Sequence, residues 1–219
     1  MGFELDGYLV FDPAALSVYS SVVKTSFCPA YPAREEGIPS GWVVSSIADV
    51  LDESETDTAW IERLDHEGWA RLTKTPLEHF EHGDFYLEDV ALAALMSVAA
   101  SGPVVYVTDS THGGVFIHER AMAFHRGTFQ ALASQEMNCD GYAYLADGSR
   151  PDLQSPIADV TGTIDPRFLG KFLFDGYLPR STGDVFWRQA ARPELEIEHA
   201  PLSTSARDAL LDNWINQGC

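Results

Sequence analysis

His79 and His82 stand three residues apart in the run His79-Phe80-Glu81-His82, with Glu78 and Asp84 on either side. On a helix, that spacing puts both imidazoles on one face, where neighbouring carboxylates can complete a metal's coordination shell. The run departs from H-E-x-x-H, however, and Gly83 would break the helix directly after the second imidazole. His79 and His82 are the nearest approach to a metal site in the chain. Two histidines this close in an acidic segment arise easily by chance, so no cofactor is assigned.

A second group, His112, His118 and His125, falls among β-branched and aromatic residues. Strand alternation puts His118 and Arg120 on one face with Phe116 and Met122. Cys28 or Cys139 meeting such a histidine across space would supply the parts of a thiol nucleophile. No local sequence around either cysteine supports the pairing, and a hairpin carrying several histidines accounts for the spacing. Cys28, Cys139 and Cys219 are odd in number and form no C-x-x-C, which argues against a disulfide framework and a cysteine-rich zinc site. The nucleophile elbow G-x-S-x-G, the phosphate loop G-x-x-x-x-G-K-[ST], the dinucleotide fingerprint G-x-G-x-x-G and the EF-hand loop are all missing from the sequence. No catalytic residue is assigned, and an enzyme is the less favoured class.

What the chain has in quantity is carboxylate. Its 219 residues hold 33 acids against 14 lysines and arginines, a formal net charge of −19. A field of that sign repels nucleic acid and anionic lipid and attracts basic partners. Between Asp49 and Asp89 lie thirteen acids and three bases, a surplus of ten in under a fifth of the chain. Asp52, Glu53, Glu55, Asp57, Glu62, Asp65 and Glu67 form one group, and Glu78 and Glu81 belong to a second. Trp69 follows Gly68 inside the segment and is the type of residue that anchors interfaces. These ten residues are the expected partner-binding surface. Asp84, Glu88 and Asp89 instead suit the solvated start of a helix, where the macrodipole favours negative charge.

The elements that must position these groups follow from periodicity and punctuation. Gly7 to Phe11 reads as a strand. Asp12-Pro13 then starts a helix on Leu16, Tyr19, Val22 and Val23. The proline-rich stretch from Cys28 to Ser40 reads as a loop, and Trp42 to Val44 as a short strand. A helix carrying Trp60, Ile61 and Leu64 follows a capping box at Ser54. Leu87, Val90, Ala91, Ala94, Leu95 and Val98 fall at helical spacing behind an Asp84 cap and end at Gly102-Pro103. Val104 to Thr108 is a strand, Asp109 to Gly114 a turn, and Val115 to Phe124 pairs back as a hairpin. Tyr142 to Leu145 and Glu194 to His199 read as further strands, and Phe168 to Tyr177 holds another. Ser205-x-x-Asp208 caps a last helix on Leu210, Leu211, Trp214 and Ile215.

Strands and helices alternate too irregularly for a wound parallel sheet. The expected fold is α+β, a mixed or antiparallel sheet with helices packed mainly on one side. The chain reads as a single domain, 1–219, with the loop at 148–166 as the one place for a boundary. The first residues carry neither a basic region nor a long apolar run, so a cytoplasmic location is expected. Size, acidity and missing catalytic signatures together point to an inhibitor of a basic protein. Its sharpest form is an immunity protein that neutralises a cationic bacterial toxin such as a nuclease. Such a protein takes a basic protein partner and touches neither nucleic acid nor membrane directly. The alternatives are a nucleic-acid mimic acting on a DNA-binding protein and an enzyme built on the His79/His82 carboxylate segment.

Overall fold

The computed structural model describes residues 3–23, 27–29, 31–33, 41–47, 86–112, 115–137, 142–146, 196–198 and 201–216. Among the described residues, seven strands form one sheet in the order β3 (Tyr31–Ala33), β4 (Gly41–Ser45), β1 (Phe3–Val10), β5 (Val104–His112), β6 (Val115–His125), β7 (Thr128–Glu136) and β8 (Tyr142–Leu145). Every ladder in it is antiparallel. The three helices among the described residues pack on the side that carries Tyr8, Val10, Val104, Tyr106, Met122, Phe124 and Leu132. The architecture is therefore α+β, with an antiparallel sheet.

The central strand β1 (Phe3–Val10) is apolar on both faces near its C-terminal end. Tyr8 and Val10 face the helices, and Leu9 is buried on the reverse side with Val105, Val107, Ala121 and Ala123. Helix α1 (Pro13–Val23) follows directly. Pro13 loses nothing by lacking an N–H in a first turn. The Asp12 carboxylate accepts the Ala14 N–H at 2.9 Å through Oδ1. Its Oδ2 accepts the Ser101 N–H at 2.7 Å and the Ser101 hydroxyl at 2.6 Å. One side chain thus caps α1 and holds the turn that ends the next helix. The Ser101 hydroxyl, followed by the Ala14 and Ser101 amides, holds the Asp12 carboxyl below its ordinary value of 3.8.

The stretch read as a loop holds two short strands, β2 (Phe27–Pro29) and β3 (Tyr31–Ala33). β3 pairs with β4 (Gly41–Ser45), and β4 with β1. Pro32 is tolerated because β3 lies at the end of the strand order, where a missing amide costs no second ladder. β2 joins β9 (Glu196–Glu198) in a separate ribbon that sets Cys28 opposite Ile197.

Helix α2 (Leu87–Ala99) is buried almost all round: Val90 through Met96 are all 0% exposed. It begins later than its sequence suggests. Tyr86, not Asp84, is the N-cap, and it makes no side-chain cap. Asp89 does not lie on a solvated face; it is wholly buried, whereas Glu88 is exposed.

β5 (Val104–His112) continues through Asp109 to Thr111, where a turn was expected. The pairing with β6 (Val115–His125) absorbs the difference in a bulge between Ser110 and Thr111. β7 (Thr128–Glu136) was not anticipated: its alanines and polar residues carry little strand propensity. It is placed by a two-residue turn in which Arg126 and Gly127 both have positive φ, 51° and 71°. Two such residues match the twist of a tight hairpin. β8 (Tyr142–Leu145) completes the meander.

Helix α3 (Thr204–Asn216) packs on α1 and α2 through the buried Leu211 and the half-buried Trp214. Its cap is Ser203, whose hydroxyl accepts the Ala206 N–H at 3.2 Å, two residues before the expected Ser205. Gly127 locks this helix to the sheet. Its N–H donates to Ser97 Oγ at 2.8 Å, and its carbonyl accepts the Trp214 indole N–H at 2.9 Å. A Cβ on Gly127 would collide with the Trp214 ring and meet Val98 Cγ2 at 2.7 Å. The helix carrying Trp60 and the strand within Phe168 to Tyr177 lie outside the described residues, as does the loop at 148–166.

Two outcomes follow from these contacts. Asp12→Ala should destabilise the fold by about 1 kcal/mol or more, through the lost cap. Because folding lowers the Asp12 pKa, its contribution is fully present above the ordinary carboxyl value and fades as pH falls through the lowered one. Urea melts should therefore show the gap between wild type and Asp12→Ala closing below about pH 4. Gly127→Ala should cost about 2 kcal/mol or more, because both the φ and the Trp214 contact forbid a methyl group. Equal midpoints for this variant and wild type would show that α3 is not seated on the hairpin.

Candidate functional site

The antiparallel pairing of β1 with β5 sets Tyr8 directly opposite Tyr106 on the helix-facing side. Their ring centroids are 5.6 Å apart, and Tyr19 of α1 meets Tyr8 edge-on at 6.0 Å. A buried phenol needs a polar partner. The Tyr8 hydroxyl donates to Asp89 Oδ1, which also accepts the Ile47 N–H at 2.8 Å. Tyr8, Ile47 and Asp89 are all 0% exposed. The Tyr106 hydroxyl is buried near the Asp6 carboxylate and the Tyr86 backbone.

Burial pushes the Tyr8 phenol well above its ordinary value, and the Asp89 charge raises it further. Tyr106 is raised by burial first, then by Asp89 and Asp6. Both phenols therefore stay protonated, as the Tyr8 donation to Asp89 requires.

Ile47 is the last described residue before residues 48–85, and Tyr86 is the first after them. Ile47 is tied to Asp89 through its amide, and Tyr86 accepts the Val90 N–H one turn along at 3.0 Å. Ile47 and the first turn of α2 therefore meet at one buried carboxylate.

One step along the strands from Tyr8 and Tyr106, the same face turns polar. Cross-strand pairing places Asp6, Thr108, Arg120 and Ser134 in one row, and Glu4, Ser110, His118 and Glu136 in the next. His118, Arg120 and Met122 do share one face, as alternation requires.

The ten expected partner-binding residues, Asp52, Glu53, Glu55, Asp57, Glu62, Asp65, Glu67, Trp69, Glu78 and Glu81, lie outside the described residues. So do His79, His82, Cys139 and Cys219. Cys28 sits in the separate ribbon, opposite Ile197, and His118 and His125 belong to the seven-stranded sheet. Among the described residues, no group of three or more histidines, cysteines and carboxylates could hold a metal ion. Nor is any helix among them long and apolar enough to cross a membrane.

Sequence reasoning missed the Asp89 cluster. The available signal was an acid one residue before Val90 in a helix whose every face is apolar, together with two tyrosines in apolar strands. Comparison with known protein families, curated proteins and solved structures finds no match to this chain.

The cluster predicts a coupled response to mutation. Asp89→Ala strands the Tyr8 hydroxyl and the Ile47 amide in the interior and should cost about 3 kcal/mol or more. Tyr8→Phe should cost less in the Asp89→Ala background than in wild type, with a coupling of about 1 kcal/mol or more in a double-mutant cycle. Additive effects would mean that the two side chains do not interact.

Proposed function

We propose that this protein binds and inhibits a basic protein, most specifically as an immunity protein that neutralises a cationic bacterial toxin, such as a nuclease, in the cytoplasm. The observation that carries the reading is the net charge of −19, with a surplus of ten acids between Asp49 and Asp89. A nuclease must hold phosphate and so presents a cationic cleft. An acidic inhibitor complementary to that cleft is steered to it by long-range attraction and fixed there by desolvated contacts. Like charges at this density repel one another within the free protein, and a basic partner relieves that repulsion on docking.

Two structural features support the reading. Ile47 and Asp89, which bracket residues 48–85, are attached to each other by a hydrogen bond. Beside that attachment, Tyr86 is 57% exposed and Glu88 is exposed as well. An open aromatic next to carboxylates suits lysine and arginine, through cation–π and ionic contact together. Trp69 is the matching aromatic inside the segment.

Pull-down from native lysate at low salt should capture a basic protein that elutes as ionic strength rises. The triple variant Asp57→Lys, Glu62→Lys, Asp65→Lys should slow association with that partner by about tenfold or more, at unchanged thermal stability. Association at the wild-type rate would overturn the assignment of this surface. Capture of no basic partner under any salt condition would overturn the reading itself.

A further inference from the structure

We draw no further inference here: the strongest candidate, the apolar reverse face of the sheet that carries Leu9, Val105, Val107, Ala121 and Ala123, supports no proposal because nothing among the described residues shows what covers it.

Discussion

The fold depends on one carboxylate being taken out of water. Asp89 lies inside the first turn of α2, fully buried, and accepts from Tyr8 of β1 and from the Ile47 amide. A charge in that position is costly unless its hydrogen bonds are made, so the cluster forms only when β1, β5, α2 and the chain at Ile47 are all in place. Apolar packing alone would let α2 slide or rotate on the sheet, because Val90 through Met96 are buried on every side. The polar contact fixes its register. Tyr106 packs its ring against Tyr8 one strand over, at 5.6 Å between centroids. At the opposite end of the helix, Ser97 and Gly127 do the corresponding work.

Much of this architecture was legible in the chain. Asp12-Pro13 announces α1, the apolar spacing after Leu87 announces α2, and Val104 to Thr108 announces β5. These signals are local, and the structure keeps them. The departures have physical causes that no short window contains. Asp89 looks like a dipole-stabilised surface acid until Tyr8, eighty-one residues away in sequence, supplies its partner. β7 has weak propensity and is held by the ladders on both of its flanks. Its turn uses Arg126-Gly127 where Asn-Gly or Asp-Gly would have been recognised. β2 and β3 look like a loop because of their prolines, and become strands because partners distant in sequence reach them.

The functional candidates divide in the same way. The acidic residues from Asp52 to Glu81 were found by counting charge, which needs no fold. The Asp89 cluster could not be found by counting, because Tyr8, Ile47 and Asp89 come from distant parts of the chain. Only the fold brings them together. The Asp89 cluster is bonded to Ile47 on one side and lies one row from Thr108 on the other.

The placement of β1 bears on how the chain reaches this state. It is the first described strand to be synthesised, yet it ends up in the middle of the sheet, flanked by β4 and β5. Its longest pairing, from Phe3↔Thr111 to Val10↔Val104, joins segments that leave the ribosome far apart in time. Closing so long a loop is slow, and until then a two-sided apolar strand has its amides and carbonyls open. A nascent chain of this kind invites chaperone capture or strand-to-strand association with its neighbours on the same message. Translation through His112 is the point at which that exposure can end.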